Sequence, residues 1–437
     1  MLFLLQRHKT LFVLSMVSFM SDLFSITIFG PNLFIINYIA LFYTIYFFRD
    51  VFNNVQQSGF SFLKYLFAEY FLLIIGALFF GFLFPWDDSF SDRLWNQRIQ
   101  NRALVALVKS FTDIMVCYYL YFVFMRQIVS IPFFLKTLSI VMLADVGIAI
   151  VDFLYGYPFK TFFTIIELRS QLLLRFTGLS GEPRAFGRCC GLVFLIITCA
   201  NFNKIKFFKY QSLYWAISLF GLLISISVSA IIATSVSLFA LLVGNWQVKY
   251  GFFFLLFAGI TMISLELLRQ NEFYDFLLGT RINRLEQGNE ADQMIDEPAI
   301  FTKFEVFDRA ALNFFYHNPR HLWFGAGPNL INYPSGDYIS RLELSMYEGR
   351  IDNPPSTGIL FIVARSGLAG LCLYVLLLIH LYKTARETNN KFALNFLLVL
   401  VTFTNIIVFP FFILLGFLIG ILSAHQGSSL SSTQEIT

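Results

Sequence analysis

Long apolar stretches, broken by short clusters of glycine, proline and charge, run through most of the chain and set the first expectation. They show no strict two-residue alternation, and each is close to the roughly 20 residues that carry a helix across a bilayer core. Backbone groups in lipid must bond within their own segment, so helices are the expected form. The pattern predicts spans at about 10–29, 31–48, 62–84, 103–125, 131–151, 189–202, 211–228, 230–246, 250–268, 356–381, 392–408 and 409–424, with boundaries good to about 2–4 residues. Pro410 marks either a kink or a turn between the last two. The class is therefore an all-α polytopic membrane protein with about twelve transmembrane helices.

Composition agrees: 57% of residues are hydrophobic and 13% charged, with 56 phenylalanines, against about 25% charged in soluble domains. The N-terminus has basic residues before an apolar run, as a signal peptide does. It lacks a small-residue cleavage site and is expected to stay as a first helix. Net charge is a modest +4, with no basic run suited to nucleic acid.

Charge also sets orientation. With the N-terminus inside, Arg7 and Lys9, Arg49 and Lys64, Arg126, Lys204, Lys206 and Lys209, Lys249, and Lys383, Arg386 and Lys391 all fall on the cytoplasmic side. Three larger connections fall opposite: 85–102, 152–188 and 269–355. The expected organisation is helices over 1–268 with an outer loop at about 152–188, a large outer loop over 269–355, and C-terminal helices with a short tail over 356–437. Within the large loop, Phe304, Phe307, Ala311 and Phe315 recur at helical spacing, which predicts an amphipathic helix on the outer membrane face. The prolines and glycines of "HNPRHLWFGAGPN" end it.

Candidate chemistry gathers in those outer connections. "LLLRFTGLSGEPRAFGR", with Arg169 upstream, sets Arg169, Arg175, Arg184 and Arg188 around Glu182 and Pro183 just before a span. Guanidinium forks suit oxygen anions such as phosphates, and the positive-inside rule disfavours arginine on that side. Arg169 and Arg188 can equally snorkel to headgroups, and Glu182 can simply cap a helix that Pro183 starts.

Other ionisable residues fall inside predicted spans: Asp22, Lys109, Asp113 and Asp145. Lys109 and Asp113 are one turn apart, which a local ion pair explains. Asp87 with Asp88 and Asp296 with Glu297 are neighbours in loops, read as solvated charge, and Trp86 and Trp95 are read as interfacial anchors. Five cysteines show no metal-ligand or CxxC spacing and read as structural thiols.

"RFTGLSGEP" resembles the Arg-x-x-Gly-x-x-x-Glu-Pro segment of bacterial O-antigen polymerases (Wzy type), within the O-antigen ligase/polymerase superfamily. "FDRAALNFFYHNPRHLWFGAGPN" followed by "NPPSTGILFIVARSGLAGLCLYVLLL" is similar to the superfamily's large periplasmic loop. That loop has an arginine-bearing helix, a Pro-x-x-x-x-Gly-x-Gly turn, and a returning helix with glycines near Gly367 and Gly370. The resemblance covers roughly residues 160–380, and the order and sidedness of the short motifs carry it. The chain departs from the ligases, which start the returning helix with a histidine where this chain has Ser356. It also lacks the Ser-Arg found in many members after the Glu-Pro span, offering Thr234, Ser235 and Val236 instead.

What the resemblance implies is a GT-C-like glycosyltransferase of the bacterial inner membrane, metal-independent and without a cofactor. It would polymerise undecaprenyl-pyrophosphate-linked repeat units on the periplasmic side. Its partners would be lipid-linked donor and acceptor glycans, membrane lipids and a possible polysaccharide chain-length regulator. Departure of the pyrophosphate builds negative charge that preorganised arginines stabilise. Arg175 and Arg309 are the first candidates for that role, then Arg184, with Arg365 and Arg320 behind them and Arg169 beside the donor. Glu182, His317, His321 and Asp352 are candidates to take the acceptor's proton, with ring packing as the alternative for His317. The rivals are the ligase that moves finished chains to lipid A core, a lipid-linked oligosaccharide transporter or flippase, and a purely structural membrane subunit.

Overall fold

The computed structural model describes residues 2–20, 25–27, 32–46, 62–86, 98–155, 176, 178–180, 183–245, 298–338, 355–406 and 412–422. Apart from turns and one pair of three-residue strands, they are helical. In chain order the helices are α1 (Leu2–Met20), α2 (Ile35–Tyr46), α3 (Leu63–Ala77), α4 (Ile99–Met125), α5 (Ile131–Leu154), α6 (Pro183–Phe202), α7 (Gln211–Ile224), α8 (Val228–Asn245), α9 (Val306–His317), α10 (Gly358–Glu387), α11 (Lys391–Ile406) and α12 (Phe412–Leu422). α3 runs on into a π-helical turn, Leu78–Leu83. Five stretches are long and apolar enough to cross a bilayer: Lys64–Leu83, Ile99–Met125, Ile131–Leu154, Arg184–Phe202 and Gly358–Glu387. This is the make-up of a membrane protein.

Most predicted spans have a helix at their place, but 250–268 lies outside the described residues. The first helix differs. It ends at Met20 instead of continuing to about 29, and Ser25–Thr27 pairs antiparallel with Asn32–Phe34. Gly30 and Pro31 stand between the strands in sequence; proline has no N–H and glycine no Cβ, so neither favours helix propagation. α6 starts at Pro183 rather than 189, because proline's fixed φ suits a first helical turn. α5 starts after Ser130, whose Oγ accepts the Phe133 N–H at 3.4 Å. The serine-rich 211–246 region is two helices, as its pattern predicts. They part at a turn where Ser225 Oγ donates to the Leu222 carbonyl (2.6 Å) and accepts the Ser227 N–H (3.3 Å).

Of the five membrane-length helices α6 is the most enclosed, with Leu192, Val193, Leu195, Ile197, Cys199 and Ala200 fully buried. Around it pack α5, α7, α8 and α11. At another point of this core, Phe12, Phe124, Phe134 and Phe417 bring α1, α4, α5 and α12 together, with ring centroids 4.4–6.5 Å apart. Part of the phenylalanine excess is thus helix-to-helix packing, where aromatic pairs add to burial. α10 packs on α3 and α11, and the 298–338 segment sits against α10 and the end of α3.

Candidate functional site

Two segments far apart in sequence meet at their helix starts. Arg184, in the first turn of α6, places Nη1 3.3 Å from Glu305 Oε1, and Glu305 is the extended residue that precedes α9. Each side chain keeps 34% exposure, so the pair is reachable from solvent. Arg309 follows one turn later, its N–H bonded to the Glu305 carbonyl at 2.8 Å, and its side chain is buried. The starts of α6 and α9 are therefore neighbours.

Beneath α6's start, Asp145 of α5 accepts the Leu179 N–H at 2.7 Å in the turn Gly178–Ser180. Gly178 has φ +51°, and a Cβ there would collide with the Asp145 carboxylate. Asp145 thus fixes the approach to Pro183. Arg169, Arg175, Glu182 and Asp352 lie outside the described residues, as do Asp22, Asp87, Asp88, Trp95, Asp296 and Glu297.

α9 departs from its expected form. It begins at Val306 and leaves Phe304 outside and exposed. Phe307, Ala311 and Phe315 are buried in protein, with Phe315 and Ala311 packing beside Val363 and Ala364 of α10. The helix spends its apolar face on α10 and the 326–338 segment rather than lying on a membrane surface.

Asp308, beside Arg309, ties α9 to the start of α10. Its Oδ1 accepts the Ser356 N–H (2.7 Å) and Thr357 N–H (3.3 Å), and its Oδ2 accepts the Ser356 hydroxyl (2.8 Å) and Thr357 hydroxyl (2.7 Å). A carboxylate has about four acceptor sites, and all four are used. It also compensates the positive end of a 30-residue helix. Ser356 is one arm of this clamp. The sequence signal for Asp308 is an acid in the first turn of a helix, which does not reveal the partner it meets.

The "WFGAG" turn is seated in a break of α10. Gly367 has φ 67° and ψ −166° inside that helix, and a Cβ there would collide with the Trp323 carbonyl. The backbone groups that the break releases are paired by the turn: Ala326 N–H donates to the Ala364 carbonyl (2.9 Å) and Ala369 N–H to the Trp323 carbonyl (3.3 Å). Irregular backbone among membrane helices persists only with such partners. Gly325, at φ +73°, lies against the same stretch. Trp86 Nε1 donates to the Ala326 carbonyl (3.0 Å), and its ring stacks on Phe80 and meets Phe314 edge-on. Trp86 thus braces the turn.

Arg365 points away from that turn into the helices. Its Nη2 lies 3.6 Å from Glu69 Oε1 of α3 and 3.2 Å from Ser110 Oγ of α4, and its guanidinium sits over the Phe361 ring. Both members of the ion pair are largely buried, 12% and 17% exposed. Nearby, Asn37 of α2 donates to Thr112 (3.2 Å) and Asp113 (3.1 Å), so Asp113 has a partner on another helix besides the field of Lys109. Glu69 was missed by the sequence reading, although one carboxylate inside "LFAEYFLL" is a signal in itself.

No protein-family model matches the chain, and no curated protein matches it.

The remaining candidates divide by surroundings. His321 is enclosed by Phe80, Trp86 and Phe314, with centroids 5.0–5.6 Å away. Burial pushes its pKa below the ordinary 6.5, partly offset by a hydrogen bond with the Gly325 backbone. His317 is exposed at the end of α9, its Nδ1 3.0 Å from the Asn313 carbonyl and its ring stacked on Tyr338. Arg320 is exposed on the Pro319–Leu322 turn. Among the described residues no three His, Cys, Asp or Glu side chains cluster closely enough to hold a metal ion. Four of the five free cysteines are buried, and Cys372 is exposed. The reachable charged group at the junction is thus the Arg184–Glu305 pair, a fork for an oxygen anion beside a carboxylate that accepts protons.

Proposed function

We propose that the chain is a polymerase of lipid-linked polysaccharide repeat units, an inner-membrane glycosyltransferase of GT-C-like architecture with about twelve spans and its active face on the periplasmic side. It transfers the growing glycan from one undecaprenyl pyrophosphate to the non-reducing end of a newly flipped repeat unit, and a chain-length regulator is a possible partner. The observation that carries this reading is the 3.3 Å contact of Arg184 with Glu305, which joins the Glu-Pro segment to the helix bearing Arg309. Arginine at two helix starts suits a leaving group that gains charge in the transition state, and electrostatic preorganisation is the main means of stabilising it. Arg175 and Arg169, just upstream of the same junction in sequence, are assigned to the same diphosphate, and Arg320 to the glycan side.

The ligase reading is weaker, because Ser356 bonded to Asp308 stands where a histidine is expected. A transporter is the second reading, favoured by the break at Gly367 and the buried Arg365–Glu69 pair, since broken helices and paired charges also mark transport sites. Against it, the break is filled by the chain's own turn. The test supplies purified protein with only a pyrophosphate-linked repeat unit. Lengthening glycans support the polymerase, a requirement for lipid A core points to the ligase, and translocation without a new glycosidic bond rejects both enzymes.

A further inference from the structure

Resting on the polymerase reading, we infer that Glu305 is the group that takes the acceptor hydroxyl's proton, and that Arg184 holds it until the donor diphosphate arrives. The described carboxylates around the junction differ sharply in what they can do. Asp308 has all four acceptor positions filled by Ser356 and Thr357. Asp145 is wholly buried under the Gly178–Ser180 turn and bonded to Leu179. Glu69 is bound to Arg365 among the membrane helices. Glu305 alone among them stands at the meeting of α6 and α9 with a third of its side chain exposed. The histidines compete poorly for the role: His321 is enclosed by three aromatic rings, and His317 lies three turns away at the far end of α9.

The pairing supplies the trigger. A partly solvated Arg–Glu contact is weak, whereas a diphosphate offers more charge and paired oxygens to the same guanidinium fork. Donor binding at Arg184 therefore competes with the Arg184–Glu305 contact. The acceptor oxygen then bonds to the anomeric carbon, and the bond from that carbon to the phosphate oxygen breaks. Its electron pair leaves with undecaprenyl diphosphate, and the hydroxyl proton passes to Glu305 Oε. Base and leaving-group clamp are so placed within one ion pair.

Two measurements on the full chain test this: affinity for undecaprenyl diphosphate in detergent, and chain growth on membranes that accumulate lipid-linked repeat units. Arg184→Ala is expected to weaken undecaprenyl diphosphate binding about tenfold. Glu305→Gln should leave binding unchanged or tighter, yet slow chain growth about 100-fold or more and remove the acidic limb of its pH profile. Glu305→Asp, which keeps the charge on a shorter arm, should fall between. Full chain growth in Glu305→Gln overturns the assignment alone. So does a loss of binding in Glu305→Gln equal to that of Arg184→Ala with no further loss in the double variant, because Glu305 would then only hold the arginine. If the unaltered chain neither binds undecaprenyl diphosphate nor lengthens glycans, the polymerase reading falls and this assignment with it.

Discussion

Asp308 illustrates how much one buried side chain carries here. Two backbone N–H groups and two hydroxyls of Ser356 and Thr357 end on its buried carboxylate. Asp308→Ala is expected to destabilise the protein by about 3 kcal/mol, since buried donors left unpaired cost their desolvation. Asp308→Asn, which retains one carbonyl acceptor, should lose less. Thermal unfolding in detergent compares the two, and equal losses would mean the carboxylate's size rather than its acceptors matters. His321 gives a pH signature at the same scale. Burial lowers its pKa in the folded chain, so the unfolded chain binds the proton more readily. Stability from this group is complete above about pH 6.5 and declines as pH falls through that value toward the lower folded pKa. His321→Phe should flatten that decline in a melting-temperature series, and an unchanged slope would assign it to other groups.

Between elements, the contact of α10 with α3 and α4 turns on a charge pair that the sequence only half revealed. Arg365 was legible as a cation inside a span, but its direction was not: spacing along one helix says nothing about which neighbour the side chain meets. The structure turns it to Glu69 and Ser110. Removing one partner of a buried pair strands the other charge and costs about 3–5 kcal/mol, while removing both is far milder. Glu69→Gln and Arg365→Gln should each lower folded yield and melting temperature, and the double variant should recover most of both. A double variant that folds but makes no glycan returns Arg365 to the substrate; one that works leaves the pair a structural one. Helices and their approximate ends were readable because lipid enforces about 20 apolar residues, and the Gly-rich turn was readable as a stop. Its seat in α10, the strand pair after α1 and the burial of α9 were not, since each depends on long-range packing that periodicity does not encode.

For the whole molecule, the proposed chemistry requires that α9 and the basic 201–210 connection face opposite sides of the membrane. Positive charge favours the cytoplasmic side, and Lys204, Lys206 and Lys209 concentrate between α6 and α7. The Arg184–Glu305 pair sits at the other end of α6, which is 20 residues long and so spans about 30 Å. A single crossing by α6 would therefore place the two on opposite sides. The cysteine pattern makes this measurable, because Cys372 is the exposed thiol and the other four are buried. In a Cys372→Ser background, Tyr316→Cys on the exposed side of α9 should react with a membrane-impermeant thiol reagent added to spheroplasts. Lys204→Cys should react only after the membrane is opened. The reverse order would put the junction in the cytosol, away from any flipped lipid-linked glycan. Labelling of both from outside would mean that α6 does not cross at all, and the orientation from which the arginine site was argued would have to be abandoned.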